Sequence, residues 1–94
     1  MGEVLKQAIE TYGAEAQLVV AIEEFAELTK EICKHKRYMD NTMAILEEMA
    51  DCYIMLEQMK MIFGLSDADI IVKTREKIKR LDGRLKDYIA ERGI

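Results

Sequence analysis

The segment Glu23-Glu24-Phe25-Ala26-Glu27 decides how this chain folds, because it recurs as Glu47-Glu48-Met49-Ala50-Asp51 after 24 residues. Each copy has two acidic residues, an apolar residue, an alanine and a third acidic residue. Both copies lie in long helical patterns, so each carries carboxylates at i and i+3, about 5–6 Å apart at Cβ on one helix face. Carboxylates held this close repel one another. A fold that brings both copies together therefore predicts a compensating cation.

The composition favours an all-α fold. The chain has 94 residues, of which 50% are hydrophobic and 34% are charged, with no proline, no tryptophan and 5 glycines. This length predicts a single domain over residues 1–94, and the abundance of helix formers predicts an antiparallel bundle of about four helices. Because so short a chain buries only a modest fraction of its surface, we expect an oligomer.

The charge distribution excludes a general nucleic-acid binder, since the formal net charge is −4. The balance is uneven along the chain. Residues 1–72 carry 6 basic and 14 acidic side chains, whereas residues 73–94 carry 8 basic and 4 acidic ones. An acidic centre with a basic helix suits a metal ion and an anionic substrate. A solvated helix face is the simpler interpretation of the basic residues.

The two cysteines and the N-terminus predict a cytoplasmic protein. Cys33 and Cys52 both fall in helical patterns, which favours reduced thiols in an intracellular protein. The N-terminus lacks the pattern of a signal peptide, and no apolar run is long enough to cross a bilayer. We therefore expect no membrane segment.

The helix ends are marked by glycines and polar caps. Gly13 and Gly64 are expected to end the first and third helices. A polar segment over 35–42 predicts a short loop, with Asp40, Asn41 or Thr42 capping the third helix. Ser66 and Asp69 resemble a capping box at the start of the fourth. The predicted helices cover about residues 4–12, 14–36, 42–63 and 67–90.

The second and third helices differ in their apolar patterns. The third is apolar on nearly all sides, which indicates burial on most sides and hence a partner subunit. Glu48 and Asp51 lie on this apolar helix, where ionised carboxylates are unfavourable unless they are paired or bound to metal. The second helix has an apolar stripe formed by Leu18, Ala21, Ile22, Phe25, Ala26, Leu28 and Ile32, outside which its acidic residues lie.

The register of the predicted hairpin places the two acidic copies at one height. Helices joined by a short loop pack antiparallel, and this loop is centred near residue 38. The midpoint of 24 and 51 is 37.5, as is the midpoint of 27 and 48. Glu24 should therefore lie level with Asp51, and Glu27 with Glu48. Such an all-oxygen cluster suits Mg²⁺, with Mn²⁺ as a possible substitute.

These motifs resemble those of the MazG-like, all-α nucleoside triphosphate pyrophosphohydrolases. That family carries EExxE on one helix and ExxD on the next, matched here by Glu23-Glu24-Phe25-Ala26-Glu27 and Glu48-Met49-Ala50-Asp51. The resemblance covers most of the chain. It implies a helical bundle assembled as a homodimer or as a dimer-of-dimers tetramer. It also implies Mg²⁺-dependent cleavage of a nucleoside triphosphate between its α- and β-phosphates, releasing a monophosphate and pyrophosphate.

The resemblance also implies roles for particular residues. The implied metal ligands are Glu24, Glu27, Glu48 and Asp51. Glu24 is also implied as a catalytic residue. Glu23 is a candidate either for a residue that supports the metal ligands or for a water-orienting base. Cleaving a phosphoanhydride requires charge neutralisation and an aligned water with little covalent help, which fits these residue types.

A basic stripe on the fourth helix is a candidate phosphate site. Spacings of four, three and four place its members on one side of the helix, although a solvated flank explains each of them equally well. They could bind the β- and γ-phosphates of the substrate. The stripe consists of Lys73, Lys77, Arg80 and Arg84.

The chain departs from the family at one position. Family members often carry an asparagine about two turns after the aspartate of ExxD, where this chain has Glu57 and Gln58. This difference favours the alternative function, a non-catalytic helical dimerisation or regulatory module. A ferritin-like di-iron protein needs Glu-x-x-His on two helices. The single histidine, His35, argues against it.

Overall fold

The computed structural model describes residues 1–37 and 40–93, which form four α-helices and contain no β-strand. The predicted all-α fold is therefore confirmed. The predicted loop over 35–42 includes Tyr38 and Met39, which lie outside the described residues. Among the described residues, no helix combines the length and the apolar character that crossing a bilayer requires. The helices are α1 (Gly2–Tyr12), α2 (Ala14–His35), α3 (Thr42–Phe63) and α4 (Asp67–Arg92).

The described residues divide into two compact units. The first, Met1–Gly64, contains α1, α2 and α3, and the second begins at Leu65 and contains α4. In the first unit α2 and α3 form the main hairpin, and α1 packs against both of them. The carboxylates of both acidic copies lie in this first unit.

Gly13 and Gly64 end helices in backbone conformations that residues other than glycine rarely adopt. Gly13 has φ 94° and separates α1 from α2 as a single residue. Its N–H donates to the carbonyl of Ile9 at 2.9 Å. Gly64 adopts the left-handed conformation with φ 65° and ends α3, as predicted.

The capping box predicted at the start of α4 is present. The Asp69 N–H donates to Ser66 Oγ at 3.1 Å, and the Ser66 N–H donates to Asp69 Oδ2 at 2.8 Å. These bonds hold the pKa of Asp69 below its ordinary value. The helix continues without a break past Gly83 and ends at Arg92, two residues beyond the predicted end.

The predicted side-chain cap of α3 is wrong. Asn41 occupies the cap position, but its side chain accepts no hydrogen bond from the start of the helix. Its Nδ2 instead donates to the carbonyl and to Oε2 of Glu31, at 2.8 and 2.9 Å. A bond to a carboxylate is charge-assisted and stronger than a neutral cap, so this side chain ties the end of α2 to the start of α3.

The core of the first unit is small and partly polar. Gln17 and Gln58 are buried within it, and Gln17 Nε2 donates to Gln58 Oε1 at 2.8 Å. This bond, together with the hydrogen bond from Cys52 to the carbonyl of Glu24, shows that α2 and α3 are antiparallel, with residue 17 level with residue 58. The buried apolar residues are Leu5, Ala21, Cys52 and Met55.

The predicted apolar stripe of α2 is correct in part, because Ala21 is buried and Leu18, Phe25 and Leu28 are half-buried. Ile22 and Ile32, both in the predicted apolar stripe, are 69% and 48% exposed. The side of α2 that meets α3 carries Ala21 of the stripe together with Gln17 and Glu24, which lie outside it. From α3, Gln58 hydrogen-bonds Gln17, and the thiol of Cys52 donates to the carbonyl of Glu24.

On α3 the buried residues lie on one side only. Cys52, Met55 and Gln58 follow one another at spacings of three. Much of the remaining apolar surface of α3 is exposed. A large part of the helix surface that was predicted to be buried is therefore uncovered in the single chain. The exposed apolar residues of α3 include Met43, Leu46, Tyr53, Ile54, Leu56, Met61 and Phe63.

Candidate metal centre

Three carboxylates of the two acidic copies converge in the hairpin. Glu24 on α2 and Glu48 and Asp51 on α3 each offer one oxygen, and these oxygens lie within 4.8 Å of one another. We call these three residues the carboxylate cluster. Glu24 and Asp51 are level because the antiparallel register has its midpoint at 37.5, and Glu48 reaches them from one turn away on α3.

The side chains of the carboxylate cluster repel one another. Partial burial raises the pKa of Glu24, and the charge of Asp51, a side-chain hydrogen bond with Asp51 and the charge of Glu48 raise it further. The raised pKa favours the neutral form of Glu24. A bound cation would offset the repulsion and favour its ionised form.

Glu48 has one oxygen without a partner. Its Oε2 is buried and accepts no hydrogen bond from any described residue. Desolvation raises the pKa of Glu48, and the charges of Asp51 and Glu27 add to the effect. Because buried polar atoms in folded proteins nearly always have a partner, a ligand at the cluster would satisfy this oxygen. Asn41 Oδ1, outside the carboxylate cluster, is also buried without a hydrogen-bond partner.

The other two predicted acidic site residues lie at the edge of the cluster. Glu27 is exposed and is not part of the three-oxygen group. Its charge nevertheless contributes to the raised pKa values of Glu24 and Glu48, so it lies near both. Glu23 is exposed and lies beside Glu24 in the chain. The predicted set of four ligands thus appears as three converging residues and one neighbour.

The predicted phosphate ligands lie on α4, in the second unit. All four are exposed, and their contact with phosphate stays a prediction. Lys73 forms an ion pair with Glu76 at 3.0 Å, a spacing of three residues on the same helix. The residues are Lys73, Lys77, Arg80 and Arg84.

Glu31 is a neighbour of the cluster whose role the sequence analysis missed. Hydrogen bonds from Asn41 and Lys34 hold the pKa of Glu31 below its ordinary value, so it stays ionised. Its fixed negative charge adds to the raised pKa of Glu48. The available signal was its spacing, because Glu31 follows Glu24 by seven residues and therefore shares its side of α2.

Cys52 links the two helices that carry the carboxylate cluster. Its thiol donates to the backbone carbonyl of Glu24 at 3.5 Å, across the hairpin. Desolvation raises the pKa of Cys52, as do the charges of Glu24 and Glu48. The thiol therefore stays protonated and serves as a donor between the helices, so the donor set that remains is entirely carboxylate oxygen.

The residues at the family's asparagine position are engaged elsewhere. Gln58 is 3% exposed and is bound to Gln17. Glu57 forms an ion pair with Lys60 at 2.9 Å. Neither side chain belongs to the carboxylate cluster.

The donor set fits a hard divalent cation. Carboxylate oxygens from two facing helices are the ligands that Mg²⁺ and Mn²⁺ prefer. Such an ion would supply a partner for the Glu48 oxygen and would offset the repulsion that raises the pKa of Glu24. Comparison with known proteins finds no matching family model, no matching curated protein and no matching solved structure.

Proposed function

We propose that this chain is a MazG-like, Mg²⁺-dependent nucleoside triphosphate pyrophosphohydrolase that acts in the cytoplasm. The observation that carries the proposal is the convergence of Glu24, Glu48 and Asp51 from two helices, with a buried and unpartnered oxygen on Glu48. The motif resemblance supplies the reaction, which is hydrolysis between the α- and β-phosphates to give a monophosphate and pyrophosphate.

The acidic residues have distinct roles in this proposal. Glu24, Glu48 and Asp51 hold the metal, and Glu27 adds a fourth carboxylate from the edge of the cluster. Bound Mg²⁺ neutralises charge on the phosphoanhydride and lowers the pKa of water. Glu23 would accept a proton from the attacking water, a role that the motif resemblance supplies. Mn²⁺ substitutes for Mg²⁺ because both prefer oxygen ligands.

The basic stripe on α4 binds the phosphates in the same proposal. The leaving pyrophosphate carries the negative charge of the β- and γ-phosphates. This charge is neutralised by Lys73, Lys77, Arg80 and Arg84. Lys73 exchanges its surface ion pair with Glu76 for phosphate. Exposed pairs of this kind contribute about 0–1 kcal/mol, so the exchange is favourable.

A second copy completes the fold in this proposal. The exposed apolar residues of α3, such as Leu46, Tyr53 and Leu56, form a surface that water disfavours. Burying it against the same surface of another chain gives a homodimer. A dimer-of-dimers tetramer follows if two such dimers associate.

A non-catalytic dimerisation or regulatory module is the second candidate. The observation in its favour is that Gln58 is buried against Gln17 and Glu57 is paired with Lys60, so neither side chain replaces the family's asparagine. Such a module keeps the carboxylate cluster and its metal but lacks a contact to the substrate.

A nucleotide panel separates the two candidates. Canonical and modified nucleoside triphosphates are incubated with Mg²⁺, and the products are separated by anion-exchange chromatography. The enzyme yields a monophosphate and pyrophosphate from at least one of them. Orthophosphate with a diphosphate would refute the proposed chemistry. No turnover, together with a Mg²⁺-dependent rise in melting temperature, would favour the module.

Matched variants locate the activity. Glu48→Gln removes one cluster charge at constant volume and should abolish turnover. Glu15→Gln makes the same change at an exposed position near the start of α2, outside the cluster, and should leave turnover unchanged. Equal activity of the two variants would assign the chemistry to other residues.

A further inference from the structure

One side of α4 carries a regular apolar seam that the proposed function does not use. Its members recur at alternating spacings of three and four residues, which is the heptad period of coiled coils. We call these residues the α4 seam. They are Ile71, Thr74, Ile78, Leu81, Leu85 and Tyr88.

The α4 seam has no partner helix among the described residues of its own unit. Its five large apolar side chains are between 48% and 59% exposed, and none of the residues of α4, all of which are described, is buried. Most of the stability of a helix in a protein comes from packing an apolar face. A helix of 26 residues with an exposed seam therefore requires a covering surface.

The rest of α4 is suited to solvent. In heptad notation Ile71, Ile78 and Leu85 occupy position a, and Thr74, Leu81 and Tyr88 occupy position d. The outward positions b, c and f are mostly charged. Gly83, at position f, points away from the seam, and a Cβ built there meets nothing within 4 Å. The charged outward residues are Lys73, Glu76, Lys79, Arg80, Lys86 and Asp87.

We propose that the α4 seam pairs in parallel with the α4 seam of a second copy of this chain. Isoleucine at position a with leucine at position d favours parallel two-stranded coiled coils. Ile71 and Ile78 occupy a, and Leu81 occupies d. The positions e and g that flank the seam also favour pairing, because Ile70 at g and Ile89 at e widen its apolar surface.

Charge complementarity selects the parallel orientation. In a parallel pair, position g of one helix meets position e of the next heptad on the other, which pairs Lys77 with Asp82 of the second copy. No like charges meet at the g and e positions of these heptads. In an antiparallel pair with the seams aligned, Lys77 meets Arg84 of the second copy and repels it, which offsets the attraction of Arg75 for Asp82 of the second copy. Asp82 has an exposed ion pair with Lys86 at 3.0 Å, and a carboxylate can accept from both lysines.

This interface does not require the proposed hydrolase activity, but it shares residues with the proposed phosphate site. Lys77 and Arg84 flank the α4 seam at position g, and Lys77 would pair across the interface. Lys73 and Arg80, at position c, lie clear of it and remain free to bind an anion when the seams are paired.

Cysteine cross-linking of the full chain tests the proposal. In a Cys33→Ser background, Leu85→Cys places a thiol at position a, where two parallel helices bring it against its own copy. Gly83→Cys, two residues away at position f, is the matched control. Under mild oxidation we expect most of the Leu85→Cys chain to run as a disulfide-linked dimer and the Gly83→Cys chain to remain single. Equal cross-linking of both variants, or none of either, would overturn the proposal.

A second pair of substitutions checks that the seam causes the association. Ile78→Lys places a charge in the seam and should abolish cross-linking of Leu85→Cys. Val72→Lys makes a similar change at outward position b, where Val72 is 55% exposed, and should leave it intact. If Ile78→Lys lowers the melting temperature while cross-linking persists, the seam packs within its own chain and the proposal is wrong.

Discussion

Gln17 and Gln58 form a buried hydrogen bond of 2.8 Å across the α2–α3 hairpin. The midpoint of their numbers is 37.5, the same as for Glu24 and Asp51. The glutamine pair and the carboxylate pair therefore share one register, separated by seven residues along each helix. A slip between the helices would break the glutamine bond and move the carboxylates apart together.

Gln17→Leu should destabilise the protein by about 1–3 kcal/mol, because it leaves the buried amide of Gln58 without its partner. The double variant Gln17→Leu/Gln58→Leu should lose much less than the sum of the two single variants, since no unpaired amide remains. Urea unfolding of all four proteins measures this coupling. Additive losses would mean that the amides do not depend on each other.

Asp51→Asn should leave the metal-free protein as stable as the wild type or more stable, because it removes one negative charge from the cluster at similar volume. It should also abolish turnover and weaken Mg²⁺ binding. In the wild type, Mg²⁺ at a hundredfold excess over Kd should add about 2.7 kcal/mol. Thermal melts with Mg²⁺ and with chelator give both quantities.

Asp87→Asn, which changes an exposed aspartate on α4, is the control for Asp51→Asn and should retain the Mg²⁺-dependent shift. If the wild type shows no shift with Mg²⁺, and Asp51→Asn melts lower under both conditions while keeping its activity, Asp51 serves the structure and not a metal.

Without metal, stability should fall as the pH rises above about 4.5, the ordinary value for these glutamates. Glu24 and Glu48 have raised pKa values in the folded state. Between pH 4.5 and those values the folded protein binds more protons than the unfolded chain, so the free energy of unfolding decreases as pH rises. Urea unfolding between pH 4.5 and 8 with chelator measures the slope.

Glu48→Gln should flatten this pH dependence, since it removes one of the two shifted groups. Glu31 and Asp69 act in the opposite sense. Their pKa values are lowered, so the stability they contribute is lost only as the pH falls below 4.5. A wild-type stability that rises between pH 5 and 7 without metal would contradict the arrangement of the cluster.

Asn41→Asp should destabilise the hairpin more than Asn41→Ala. The alanine variant loses the two bonds from Nδ2 to Glu31, whereas the aspartate variant also places a negative charge against the Glu31 carboxylate. Raising the salt concentration should reduce the difference, because it screens the repulsion. A difference that does not respond to salt would point to a steric cause.

Much of the fold followed from local signals. Helix ends at Gly13, Gly64 and Ser66 could be predicted because backbone conformation and capping depend on a few adjacent residues. The register could be predicted because a short loop fixes which residues are level, and it placed Glu24 opposite Asp51 correctly.

The rotation of α2 could not be predicted, since it depends on which side chains of α3 it meets. Gln17 faces α3 because Gln58 hydrogen-bonds it, and Ala21 is buried while its neighbour Ile22 is exposed. The same rotation brings Glu24 to the interface. The bond from Asn41 to Glu31 was missed for a similar reason, because a competing partner ten residues away is invisible to local capping rules.

The two thiols give this chain a built-in reporter of hairpin opening. Cys33 is exposed, whereas Cys52 is buried against Glu24 and has a raised pKa. Alkylating reagents attack the thiolate, so Cys33 should be labelled in the folded protein and Cys52 only when α2 and α3 separate. The labelling rate of Cys52 would then measure how often the carboxylate cluster opens locally. Any ligand that holds the two helices together would lower this labelling rate.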